Sequence, residues 1–437
     1  MIYILTVSDL QIKTAIDLYK IIESECISDE QAREAYVLYN GLHKKPDFRN
    51  ISVLEEPSSF IFFKEYQRIK FLRVWIVEIL PYIDLLSGVG KLPLTRTCND
   101  FEGYINGVFS DFLEELRNIS NKIPAEYNLF KKNNFRQIEY LCESLLRSIE
   151  MYYKGFPAKA FNELRDGIID NLSKEGRLDD FLKFPSETSE EKYYKMRVGT
   201  DHTFKKEEMF HIPFELRGKV ATNRYSIPGI PCIYLGTSPL ACWEELNKPE
   251  LNTVQTSLFQ TQSCTYLDLS TPPAIFIENI IHNYGILSKN LFKDICTYIL
   301  VWPLKAACSI RVKYKDDTFK PEYIIPQLLL QFIRQVDAID GISYFSTKID
   351  NYSLEISEVY RNFAFPAQEK QKEGLCPKLK QMFEATDAVP WQTFELYKDS
   401  GHCVPLNTEE DKRYDVEFIN GMRLLYTTTD FYRFCCK

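Results

Sequence analysis

The 437-residue chain holds little of what the commonest enzyme chemistries require. It has only five histidines, His43, His202, His211, His282 and His402, and none stands in a recognisable nucleophile context, so a histidine-based triad has few places to form. No GxxxxGK(S/T) phosphate loop, GxGxxG turn, HExxH helix or GxSxG elbow occurs, which withdraws support from the standard hydrolase, kinase and dehydrogenase readings. The twelve cysteines form no CxxC pair, and the neighbours Cys435-Cys436 and His402-Cys403 lack the paired spacing that zinc requires. No metal is expected, and without a secretion signal the cysteines read as reduced, mostly buried thiols.

A long apolar run is also missing. The most apolar stretch, Phe71 to Val89, is interrupted by Arg73, Glu78, Pro81 and Asp84, so no membrane span is expected. The opening Met1-Ile-Tyr-Ile-Leu-Thr-Val has no basic flank and its apolar character stops at Asp9, unlike a signal peptide; the expectation is a cytoplasmic protein. Nor is there an excess of positive charge: 53 Lys and Arg against 61 Asp and Glu give a net charge of −8, which does not favour a nucleic-acid partner.

What the chain does have is aromatic bulk. Thirty Phe, 27 Tyr and 4 Trp imply a large aromatic core, with a minority of rings free to stack on a planar ligand. The length predicts two or three domains. In the first 185 residues apolar positions recur at spacings of three and four, most clearly at Phe135, Ile138, Leu141, Cys142, Leu145, Ile149 and Tyr152, and more weakly over Asp9–Ile22, Phe60–Leu80, Phe101–Leu116 and Ala158–Leu172. A helical bundle is expected there, with a regulatory or oligomerisation role.

A polar stretch, Pro185 to Lys192, reads as a linker. Beyond it, strands are predicted at Ile230–Leu235, Val254–Phe259, Thr265–Leu269, Tyr298–Trp302 and Ser309–Val312, with helices at Pro273–His282 and Ile324–Val336. The scheme is α+β: helices over 1–185, a mixed domain over 186–370, and an extension over 371–437 packing on that domain, apolar again at Val416–Tyr426. Within the mixed domain, Pro228-Gly229 marks a turn, Ile230–Leu235 a buried strand, and Ser238-Pro239 an N-cap and first helical position. That unit sets Arg224 before a strand, Tyr234 near its end, and Glu244 and Glu245 in the second turn of a helix.

Here the residues resemble a known family. The run Arg224-Tyr225-x-x-x-Gly229-x-Pro231-x-x-Tyr234, then Glu245, then Asp340-Gly-Ile-Ser-Tyr-Phe-Ser346, then Asn362 to Phe365, resembles the RES domain, named for its Arg, Glu and Ser. The likeness covers residues 190 to 370. It implies an ADP-ribosyltransferase-like split β-sheet, with NAD as the substrate rather than a cofactor, and a bacterial toxin or antiviral effector that depletes NAD with phosphate or water as acceptor. It also implies roles: Arg197 and Arg224 on the pyrophosphate, Tyr234 with Tyr225 beside the nicotinamide, Glu245 as the carboxylate facing the ribose, and Ser346 orienting the cleft. His211 either bonds the cleft or supports it. Lys195 stands as an alternative to Arg197, and Glu244 to Glu245. An antitoxin or activating partner and a homo-oligomer are further implications. The rival readings are a mono-ADP-ribosyltransferase acting on a macromolecule and a non-catalytic NAD-binding scaffold.

Overall fold

Helix formation in the N-terminal part follows directly from spacing and caps. Helix α1 spans Leu80–Ser87, α2 Phe101–Lys122, α3 Lys132–Tyr153 and α4 Pro157–Ile168. In α2 the Asp100 side chain caps Gly103 N at 3.0 Å, while Phe101, Ile105, Phe109, Phe112, Leu116 and Ile119 form the buried stripe. The computed structural model describes residues 79–123, 128, 130, 132–170, 182–183, 191–261, 263–282 and 289–391. The expected helices before residue 79, the linker up to residue 190 and the apolar stretch Val416–Tyr426 lie outside them. Among the described residues, one compact unit takes those up to Leu146 together with Pro273–Ala306, and a second takes Arg147–Pro272 and those from Ala307 onward.

The first unit corrects one expectation. Tyr298–Trp302 is not a strand but part of the long helix Lys289–Cys308. All five residues are buried, so the run is apolar on every side, and such a helix looks like a core strand to any periodicity test. The Trp302 indole shows why burial won: it stacks on Phe112 with centroids 3.6 Å apart and donates from Nε1 to Gly90 O at 2.7 Å. Pro273–His282, a further helix of this unit, forms where it was expected and packs on α1.

The second unit is built on a mixed sheet. Its strands are β1 Leu182–Lys183, β2 Glu191–Val198, β3 Cys232–Gly236, β4 Val254–Thr261, β5 Tyr266–Leu269, β6 Gly341–Phe345, β7 Arg361–Pro366, β8 Glu384–Ala385 and β9 Val389–Pro390. Their order is β8-β4-β2-β3-β7-β6-β5-β1, with β9 also on β4; every pair is antiparallel except β6 with β5. The helices α5 Pro239–Glu245, α6 Pro273–His282, α7 Lys289–Cys308, α8 Ile324–Ile333, α9 Leu354–Val359 and α10 Pro377–Met382 complete the numbering.

Strand β2 buries side chains on both faces through Tyr193, Tyr194 and Met196, while Arg197 and Val198 at its end are exposed. Tyr193 lies edge-on to Phe363, Phe365 and Phe383, while Tyr194 and Met196 cluster on the other side with Cys242, Val254 and Leu258. It pairs with β4 over its whole length but meets β3 only at Tyr194 opposite Gly236. The sheet is therefore divided into two halves joined at a single residue pair. On the outer side of β4, β8 and β9 close the edge that would otherwise offer unpaired N–H and C=O groups. Thr386 and Asp387 fix the bend between them: Thr386 N donates to Leu258 O at 3.0 Å, and Asp387 accepts from Lys206 N at 2.9 Å.

Candidate active site

The site grows out of the β3–α5 connection. Ser238 caps α5, accepting from Ala241 N at 3.0 Å and donating to Val359 O at 2.8 Å, with Pro239 at the first helical position. This aims the two glutamates of the last turn in different directions. The Glu244 carboxylate pairs with Lys248 at 2.9 Å, one turn on. The Glu245 carboxylate instead accepts at one oxygen, Oε1, from Ser346 Oγ at 2.6 Å and from Asn362 Nδ2 at 2.9 Å. Its second oxygen stands 3.8 Å from Lys348 Nζ, with about a third of the side chain exposed. Two donors to Oε1 fix the carboxylate's orientation and leave Oε2 for other work.

Arg224 approaches the same turn from the other side. Its guanidinium donates to Cys308 O at 3.1 Å, Ile310 O at 2.8 Å and Thr347 Oγ1 at 3.4 Å, and lies over the Tyr323 ring, 5.3 Å from its centre. Ser346, Thr347 and Lys348 thus link the arginine to the glutamate through consecutive residues. Tyr352 steadies that turn by donating to Ser346 O at 2.7 Å.

An aromatic wall completes the group. Tyr234 Oη donates to Tyr225 O at 2.7 Å, and the Tyr225 and Tyr344 rings lie 4.4 Å apart. Burial pushes all three phenols well above their ordinary range, aided at Tyr344 by the Glu245 charge, so they stay neutral. The Glu245 carboxylate, the Arg224 guanidinium and the Lys348 ammonium are then the charges beside a neutral, aromatic surface.

The residues expected on the β2 half sit apart from this group. Arg197 is exposed, donates to Glu208 O at 2.9 Å and covers the Phe204 ring at 4.3 Å. Lys195, two residues earlier on the same face of the strand, donates to Phe210 O at 2.6 Å, and burial lowers its ammonium to about 8. Among the described residues, no hydrogen bond joins Arg197 or His211 to the Glu245–Arg224 group. His211 is buried: Nδ1 donates to Ile212 O at 2.8 Å and Nε2 accepts from Cys376 N at 2.9 Å.

That pairing requires a neutral ring, and burial accordingly depresses the His211 pKa below its usual 6.5. The unfolded chain therefore binds the proton first. His211's contribution to stability is complete above about pH 6.5 and declines as the pH falls below it. Thermal melts at about pH 7.5 and 5.5 should show a drop in midpoint that His211→Gln largely removes.

Sequence reasoning did not assign Asn362, Tyr323, Tyr344, Thr347 or Lys348. Asn362 and Tyr344 sit inside the recognised motifs and pair across β7 and β6, so the signal was there. Thr347 and Lys348 follow Ser346 directly. Tyr323 carried no signal. The motif's Asp340 and Gly341 serve the scaffold: Asp340 accepts from Thr265 N at 2.9 Å and pairs with Lys378 at 3.0 Å, tying β6 to the start of β5. Among the described residues, no cluster of His, Cys, Asp and Glu could hold a metal ion, and no helix is long and apolar enough to cross a membrane.

Fold and site together define an α+β protein with a divided sheet and a carboxylate anchored opposite an arginine. No family model matches the chain. Over 393 residues it is 34% identical to the Bacillus subtilis (strain 168) protein "Putative toxin YopC", covering 87% of this chain and 88% of that protein. The chain belongs to the YopC family. Among solved structures, the M. tuberculosis MbcT–MbcA toxin–antitoxin complex aligns at 15% identity over 51% of this chain and 94% of that chain, with a TM-score of 0.25. At that score the likeness supports no inference.

Proposed function

We propose that this protein is a toxin that consumes NAD by breaking the bond between nicotinamide and ribose, on an ADP-ribosyltransferase-like sheet. The observation that carries the reading is the Glu245 carboxylate, held through Oε1 by Ser346 and Asn362, while Oε2 has only the longer ion-pair contact with Lys348. Cleavage of this bond builds positive charge on the ribose, and a carboxylate already oriented beside it lowers the barrier without reorganising. Ser346 contributes by holding Glu245 rather than by facing the ribose itself. Arg224, with Arg197 or Lys195 from the other half of the sheet, supplies cation for the pyrophosphate; the neutral Tyr225–Tyr234–Tyr344 wall suits an uncharged, planar leaving nicotinamide. The YopC relative, named as a toxin, supports the biological setting. A cell that makes an NAD-consuming enzyme must restrain it, so an inhibitory partner or the chain's own helical residues is part of this reading, as is a cytoplasmic location where NAD is found.

The acceptor takes the ribose carbon as nicotinamide leaves with the bonding pair. Water gives ADP-ribose and a proton; phosphate gives ADP-ribose phosphate. Mass spectrometry of NAD incubated with the full chain, with and without phosphate, should show free nicotinamide with one of these products. ADP-ribose attached to an added protein or nucleic acid would transfer the reading to a mono-ADP-ribosyltransferase. NAD bound but intact would make the chain a scaffold and overturn the proposal.

A further inference from the structure

Lys348 belongs to none of the motifs, yet it is tightly committed. An ammonium has three N–H bonds, and each of these has an acceptor: Glu244 O at 2.6 Å, Glu245 O at 2.8 Å and Asn247 Oδ1 at 3.0 Å. All three acceptors lie at the C-terminal end of α5, a helix of seven residues. The last carbonyls of a helix have no partner within it, and a cation there also meets the negative end of the helix dipole.

The chain leaving α5 turns sharply where that support acts. Asn247 and Lys248 both have left-handed backbones, with φ of 64° and 56°, a conformation that asparagine tolerates and lysine resists. The turn is held first by its own backbone, with Asn247 N donating to Glu244 O and Lys248 N to Trp243 O, each at 3.0 Å, and then by contacts from outside it. From outside the turn, Lys348 contributes the bond to the Asn247 side chain. Two residues earlier, Ser346 grips the Glu245 carboxylate. A single short turn therefore holds Glu245 by main chain and side chain at once. At 3.8 Å from Oε2 the ammonium is ion-paired with the carboxylate but does not hydrogen-bond it, so its hydrogen bonds grip Glu245 through the helix end.

We propose that Lys348 is the positioning residue for Glu245: it locks the last turn of α5 and so keeps the carboxylate on Ser346 and Asn362. This rests on the reading of Glu245 as the carboxylate that acts in NAD cleavage. The test uses the full chain, with NAD as the probe. Lys348→Met should lower kcat at least tenfold with KM within about twofold, and Lys348→Arg, which can still reach two of the acceptors, should recover a substantial part. In a Glu245→Gln background the same Lys348→Met change should cost less than twofold, because the group it positions is gone. Equal losses in the two backgrounds, or a rise in KM alone, would overturn the proposal.

A second measurement stands apart from catalysis. Hydrogen exchange at the amides of residues 246–248 should quicken about tenfold in Lys348→Met and little in Lys348→Arg. Unchanged exchange would refute the positioning role whatever the substrate. A wild-type chain that leaves NAD intact while exchange responds as expected would refute the functional reading alone.

Discussion

Glu245→Gln should reduce NAD cleavage by on the order of a thousandfold while the protein remains folded. Glutamine keeps the size of the side chain and an oxygen able to accept from Ser346 Oγ and Asn362 Nδ2, so the hydrogen bonds that orient the group can survive. What disappears is the negative charge, and with it the attraction to a ribose that becomes cationic in the transition state. A thousandfold corresponds to about 4 kcal/mol, within reach of a preorganised charge in a partly dry site. Glu244→Gln provides the contrast. It removes the ion pair that the mostly buried Glu244 side chain makes with the exposed Lys248, leaves the Ser346 and Asn362 bonds to Glu245 in place, and should leave turnover within a few-fold of wild type. The check is steady-state NAD consumption beside growth of bacteria expressing each variant. Equal losses in the two variants would show that the carboxylate has been assigned to the wrong residue.

The second large effect falls on the scaffold. Gly341 opens β6, and a Cβ there would stand 2.7 Å from Ala364 O and closer still to the Phe365 ring. The carbonyl belongs to the neighbouring strand β7, and Phe365 is fully buried among Tyr193 and Phe383, so neither can withdraw. Gly341→Ala should cost about 3 kcal/mol or more, read from the urea midpoint at unchanged m value. Because β7 also carries Asn362, the surviving folded fraction should be less active per molecule. A midpoint shift under about 0.5 kcal/mol would show that the strands can spread to admit a methyl group.

The glycine of the Asp-Gly-x-x-Tyr-x-Ser stretch illustrates what the sequence could and could not convey. The motif marked the place, but the reason for the glycine lies in a strand more than twenty residues away in the chain. Helix α3 was readable because its buried residues repeat along one face, and α5 because Ser238 and Pro239 announce its start. The helix at Tyr298–Trp302 was not, since total burial erases the difference between the periods of helix and strand. Strand β2 went unread because Lys192, Lys195 and Arg197 interrupt its apolar residues, their polar ends reaching backbone such as Phe210 O and Glu208 O. Choosing between Glu244 and Glu245 required the third dimension: adjacent helical residues differ by about 100° in direction, and only the position of Ser346 tells which one faces it. Lys195 and Arg197 pose the opposite problem, for both lie on one face of one strand and both bond the segment at Glu208–Phe210.

The closing of the β4 edge by β8 and β9 bears on how the protein is made. A ribosome delivers a chain from its N-terminus, and domains fold as their residues emerge. Arg224, Glu245, Ser346 and Asn362 are all synthesised before residues 384–390, which complete the sheet. During that interval β4 presents an open row of hydrogen-bonding groups on a nascent polypeptide, and pairing with the wrong strand competes with the right one. Strands β8 and β9 must then find an edge formed more than a hundred residues earlier, a contact of long sequence separation and correspondingly slow closure. A stop codon ahead of residue 384 would accordingly release a chain that carries every site residue yet is prone to cluster with its own kind.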